Sequence, residues 1–255
     1  MGAMIDFTIS DVDGGEDIKT TAYAAVPDGA GPHPGVVVAF HKDGIDIFTE
    51  WVVDDLASNG YAAIAPNHYH ALPTGMDIER RREFLRDEQM TLDLESAANW
   101  LDDQPSVDGS RLGLLGHCMG GRTTWLGLVG LPDRFKCGCP FYSGNTFGQV
   151  GTVPPPAERF EAIQAPIMGF FGNDDGNPSP ADVARLSDIL TSLNKEHEFH
   201  QYDDTGHAFM GAGREKYRED SSRDAWTRTL KFLSLQIGGG APEIAEVFPA
   251  DKLIG

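Results

Sequence analysis

One cysteine, one histidine and two neighbouring aspartates sit where they could carry out acyl transfer. The cysteine lies in "RLGLLGHCMGGRTTW", residues 111–125: an apolar strand, Cys118 between Gly116 and Gly120, then a helix. A glycine two residues before and two after a nucleophile is the pattern of a sharp strand-to-helix turn that presents the side chain at the end of a sheet. The glycines are needed because a Cβ at either position would collide within the turn. A thiol so placed sits at a helix N-terminus, whose dipole favours the thiolate. The Met119 backbone N–H points where an oxyanion would form. The competing reading is a small cysteine packed in an ordinary turn.

A nucleophile needs a base, and the base needs an orienting group. After Cys118 comes "FFGNDDGNPSP" (170–180), an apolar strand ending in Asp174 and Asp175. Then comes "YDDTGHAFM" (202–210), a strand followed by Gly206 and His207. Either aspartate could orient the base while the other caps the following helix.

These residues need a frame that gathers strand ends. "GVVVAF" (35–40), "YAAIAP" (61–66) and "RLGLLG" (111–116) are short continuous apolar runs, as expected of strands covered on both faces. "IKTTAYAAV" (18–26) alternates and suits a strand near a sheet edge, and 135–144, 166–172 and 196–204 read as further strands. Helical spacing marks 47–60, 76–104 in two pieces, 120–130, 180–193 and 219–238. This alternation predicts an α/β architecture in three layers, a mostly parallel sheet with helices on both faces. Ligands bind such sheets at the carboxyl ends of the strands, where Cys118, the aspartates and His207 all fall.

The 255 residues suffice for one large core, expected to span 1–237, with a tail from 238 to 255 after "GGGAPE". The 39 acidic against 20 basic residues, net −19, argue against nucleic acid and anionic membranes as partners. No basic-then-apolar leader opens the sequence, and three cysteines suit free thiols in a reducing cytoplasm. No metal or other cofactor is expected: His68 and His70 lack a third ligand at metal-site spacing, and no Gly-rich phosphate loop follows the first buried strand. His68, Tyr69 and His70, just past a strand end, could line a substrate pocket; Tyr142, closing another strand, could line it too or pack in the core. His117 reads as packing beneath the turn. Cys137 and Cys139, two apart on a strand, share a face and read as buried thiols rather than a redox pair.

The segments "GVVVAF", "LASNGYAAIAPNHY", "DLESAANWL", "LGLLGHCMGG", "GNDDGNPSP" and "GHAFM" resemble the dienelactone hydrolase (carboxymethylenebutenolidase) family of the α/β-hydrolase fold, over roughly residues 18–237. The resemblance implies a triad of Cys118, Asp175 and His207, with an oxyanion hole from the backbone N–H groups of Met119 and Lys42. It implies hydrolysis of small-molecule esters or lactones without a cofactor, with a homodimer left open. Two positions depart from the family's pattern. Where dienelactone hydrolases carry a glutamate that interacts with the cysteine, this chain has His41, which could instead contact substrate. Where they place a substrate-binding arginine after the catalytic histidine, it has Gly211. A second such arginine would come from among Arg80, Arg81, Arg82 and Arg86. A general ester or thioester hydrolase and a catalytically silent ligand-binding member stand as alternatives.

Overall fold

Val36 and Val38 pack into one hydrophobic cluster and Val37 into another, all three shielded from solvent. Successive strand residues point to opposite faces, so this strand is roofed on both sides, as its unbroken apolar run requires. The computed structural model describes residues 1–72, 76–211 and 215–248. In these residues eight strands form one sheet: β1 (Ala3–Ile9), β2 (Ile18–Ala25), β3 (His33–Ala39), β4 (Ala62–Pro66), β5 (Val107–His117), β6 (Cys137–Phe141), β7 (Ile167–Gly172) and β8 (His197–Tyr202). Their spatial order is β1-β2-β4-β3-β5-β6-β7-β8. The first two strands pair antiparallel, β2 pairs antiparallel with β4, and every later pairing is parallel.

Among the described residues five α-helices flank the sheet: α1 (Ile47–Ser58), α2 (Asp87–Asp102), α3 (Met119–Gly130), α4 (Pro180–Ser192) and α5 (Glu219–Ile237). Val52, Val53 and Leu56 of α1 join Trp226, Leu230 and Leu233 of α5 on one face. Leu94 and Leu101 of α2, Trp125 of α3 and Leu186 of α4 cover the other. Local sequence sets the helix starts. Asp46 caps α1 by accepting from Thr49 N at 3.0 Å. Ser179 and Asp182 form a capping box at α4 with Pro180 in its first turn. Short 3-10 helices occupy Ile78–Phe84 and Pro156–Ala162. Among the described residues no helix is long and apolar enough to cross a membrane.

The strand predicted near an edge, β2, lies second from it. Two features differ from the sequence reading. The edge itself is β1, a strand the reading did not foresee, whose Phe7 and Ile9 are buried. The predicted tail packs back on the helices as far as Phe248, while 249–255 lie outside the described residues. Gly240 N donates to Asn59 O at 2.9 Å, and Ala245 N donates to Thr227 Oγ1 at 3.0 Å. The Phe248 ring sits edge-on to Phe48 and Trp51, at 5.7 and 5.6 Å between centroids.

The topology creates the site. From β3, the chain runs outward to β4 on one side and then crosses to β5 on the other, leaving a crevice above the ends of β3 and β5. His41 follows β3, Cys118 follows β5, Tyr142 follows β6, Asp175 follows β7 and His207 follows β8, on five strands adjacent in the sheet.

Candidate active site

Cys118 joins β5 to α3 with φ 58° and ψ −114°, a left-handed backbone that a non-glycine residue adopts at a cost of roughly 1–3 kcal/mol. Hydrogen bonds hold it there. Cys118 N donates to Phe141 O at 3.1 Å, and Arg122 N donates to Cys118 O at 3.2 Å. A Cβ on Gly116 would strike the Gly120 carbonyl, and one on Gly120 the Ala39 carbonyl, which is why both flanking positions are glycine. Tyr142, Asn145 and Ala208 also have positive φ and line the same cavity as Cys118. Strained backbone of this kind collects where a site is held in shape by its surroundings.

The His207 ring bridges two partners. Its Nε2 lies 3.0 Å from Cys118 Sγ, and its Nδ1 lies 2.7 Å from Asp175 Oδ2. A carboxylate only accepts, so Nδ1 carries the proton between these two groups. Asp175 is buried and accepts from Asn177 N at 2.8 Å through its other oxygen. Asp174 is exposed and contributes its backbone N–H to Thr205 O. Burial raises the Cys118 pKa, but the His207 hydrogen bond and charge, the Met119 N–H and the His41 charge together bring it below the ordinary thiol value. Burial alone would depress His207, but Asp175 and Cys118 together carry it up to about 9. Each partner favours the charged form of the other.

These residues open into a cavity of about 750 Å³. Phe48, Leu85, Met90 and Val150 supply apolar wall, while Arg82 and Lys216 stand exposed on its lining. His41, Lys42, Met119, Tyr142 and Gly211 all line it. A Cβ at Gly211 would run into the Phe48 ring, so no longer side chain fits there as the backbone stands. Tyr142 is buried, with its ring edge-on to His207 at 5.3 Å.

His68 and Tyr69 are placed differently from expectation. The His68 side chain is fully enclosed, its Nδ1 2.7 Å from Asp93 Oδ2, and it does not line the cavity. His70 Nε2 reaches the other Asp93 oxygen at 3.0 Å, so both histidines are drawn inward by one buried carboxylate. Tyr69 lies behind the cavity wall: its hydroxyl donates to Lys42 O at 2.8 Å and lies 3.5 Å from Met119 Sδ. It thus braces the two residues from which oxyanion donors were expected. The candidate arginines are largely engaged elsewhere. Arg80 pairs with Glu83, Arg81 with Asp43 and Arg86 with Asp13, leaving Arg82 on the cavity. His117 is packed between aromatic rings, its centroid 4.4 Å from that of Phe141, and burial pushes its pKa down to about 3. Cys137 and Cys139 are buried free thiols whose pKa values burial raises.

Sequence reasoning missed Arg122. Its guanidinium meets Asp87 through two hydrogen bonds of 2.5 and 2.9 Å and donates to the carbonyls of Asn145 and Gly148 at 2.9 and 2.7 Å. The signal was present: a lone arginine opens an otherwise uncharged helix directly after the turn.

The family model of dienelactone hydrolases matches residues 20–236. The chain belongs to the dienelactone hydrolase family. It is 28% identical over 234 residues to a "putative carboxymethylenebutenolidase" of Synechocystis, covering 87% of this chain and 94% of that one. A relative of the same name in Escherichia coli K12 is 31% identical over 228 residues, covering 86% and 83%. The crystal structure of a "putative dienelactone hydrolase" from Klebsiella pneumoniae superposes with a TM-score of 0.78 at 29% identity, covering 91% of this chain and 99% of that one. Membership of this family agrees with the three-layer α/β-hydrolase architecture and makes the chain one of a family of hydrolases.

Proposed function

We propose that this dienelactone hydrolase family member is a cysteine-nucleophile hydrolase of small carboxylic esters or lactones, with Cys118, His207 and Asp175 as its triad. The observation that carries the reading is the continuous link Asp175–His207–Cys118 at 2.7 and 3.0 Å, ending on a strained turn inside a cavity. The Cys118 thiolate attacks the carbonyl carbon, and the carbonyl π pair moves onto oxygen. The Met119 and Lys42 backbone N–H groups receive that charge. The tetrahedral species collapses, the C–O bond breaks, and the His207 Nε2 proton passes to the departing alkoxide. In a lactone that alkoxide stays tethered to the acyl group. Neutral His207 then takes a proton from water as the resulting hydroxide attacks the thioester. Collapse releases the carboxylic acid and restores the thiolate and imidazolium. Asp175 keeps the ring oriented and stabilises its charge throughout. No step calls on a cofactor.

A broader ester or thioester range, without lactone preference, is favoured by one feature. Arg122, a buried cation lining the cavity, commits four hydrogen bonds to Asp87 and two carbonyls, which disfavours its holding a substrate carboxylate. The three free cysteines support a reducing cytoplasm as the working compartment.

A panel of nitrophenyl esters, thioesters, lactones and dienelactones tests the reading with wild type, Cys118→Ala and His207→Ala. Turnover should vanish in both variants. Equal turnover by wild type and Cys118→Ala would sink the mechanism.

A further inference from the structure

His41 occupies the place after β3 where the resemblance puts a carboxylate, and its surroundings reverse the sign of that charge. The side chain is nearly buried. Its Nδ1 lies 3.3 Å from Asp43 Oδ2 and its Nε2 lies 2.9 Å from Asp46 Oδ2. Carboxylate oxygens this close to both ring nitrogens favour the imidazolium by charge, although Nε2 makes no hydrogen bond of good geometry. Neither carboxylate is free to swing away easily. Asp46 is tied to Thr49 N as the cap of α1, and Asp43 is held by Arg81 at 3.0 Å and by Lys42 at 3.7 Å. Phe48 packs edge-on to the His41 ring, its centroid 5.8 Å away. The remaining ionisable neighbours are Cys118, on the same cavity wall, and His117, which its aromatic packing keeps neutral.

We propose that His41, locked as an imidazolium between Asp46 and Asp43, is a positioning residue that holds Cys118 as the thiolate in the resting enzyme, before any substrate arrives. This rests on the reading of Cys118 as the nucleophile. A carboxylate here would oppose the thiolate, whereas a fixed cation supports it. Two cations, His207 and His41, then share one anion, and the nucleophile is ready for neutral esters without help from a charged substrate. The direction agrees: burial would depress His41, but Asp46, Asp43 and Cys118 together raise it, and the His41 charge is among the causes that lower Cys118.

The test is a titration of the Cys118 thiolate without substrate. It is followed by ultraviolet thiolate absorbance and by the pH dependence of iodoacetamide alkylation, with Cys118→Ala as the blank. In His41→Gln the midpoint should rise by about one pH unit, the scale of losing a nearby opposite charge, and in His41→Glu it should rise further. Asp46→Asn provides a second route, since asparagine still caps a helix but no longer carries the charge facing His41. It should move the midpoint the same way, with the fold checked by circular dichroism. Unchanged midpoints in folded His41→Gln and Asp46→Asn would overturn the proposal. Hydrolysis surviving in Cys118→Ala would instead overturn the nucleophile itself, so the two failures are distinguishable.

Discussion

Replacing Arg122 with methionine removes the guanidinium while keeping much of the side-chain volume. The Asp87 side chain has no exposed surface and that of Arg122 is 7% exposed, so solvent cannot replace the lost partner. Burial already raises the Asp87 pKa against the pull of Arg122. Without Arg122, the carboxylate and the Asn145 and Gly148 carbonyls lose four hydrogen bonds at once. Breaking a buried pair from one side costs about 3–5 kcal/mol. For a chain of this size that corresponds to a fall in Tm of roughly 6–20 °C. Differential scanning calorimetry measures it directly. The double variant Arg122→Met with Asp87→Leu should recover much of the loss, because no buried charge is then left unpaired. Asn145 lines the cavity, so Arg122→Met should also lower turnover at temperatures where it remains folded. A loss below about 1 kcal/mol would refute this account of a buried, solvent-excluded pair. So would a double variant no more stable than the single one.

Asp175→Asn should cut kcat/KM by roughly 10²- to 10⁴-fold by disturbing the tautomer and orientation of His207, while Asp174→Asn should stay within about threefold of wild type. The reverse ranking in a side-by-side ester assay would reassign the acid. The pH profile of kcat/KM should be bell-shaped, because acylation needs the Cys118 thiolate and protonated His207 together. His207 loses its proton near about 9, so activity falls above that pH; it falls on the acid side as Cys118 protonates, below the ordinary thiol value. A profile still rising above pH 9 would contradict the imidazolium as proton donor.

Much of the frame was readable because its causes are local. Three apolar runs bounded by turns became β3, β4 and β5, since strands covered on both faces leave no polar alternation to confuse the reading. Cys118, Asp175 and His207 were legible through position, each just past a strand end. The edge strand β1 escaped although Ile5, Phe7 and Ile9 alternate, because the polar, glycine-rich segment after it resembles a disordered start. His68 was misplaced for a tertiary reason. Nothing near it in sequence announces Asp93, 25 residues away on α2, which turns the ring inward. The Arg122–Asp87 pair was hidden for the same cause, since charges that meet across elements carry no periodic signature. The clamp on His41 is local, with Asp43 and Asp46 two and five residues on, but only the turn into α1 brings both carboxylates onto the ring.

The central claim is that Cys118 becomes acylated during turnover. Rapid acid quenching during hydrolysis of a slow ester, followed by intact-mass and peptide mass spectrometry, measures that directly. The account predicts one added acyl group, located on Cys118, absent from Cys118→Ala and accumulating in a variant that cannot deacylate, such as His207→Ala given an activated ester. Steady turnover with Cys118 unmodified at every quench time, or an acyl group on another residue, would contradict it.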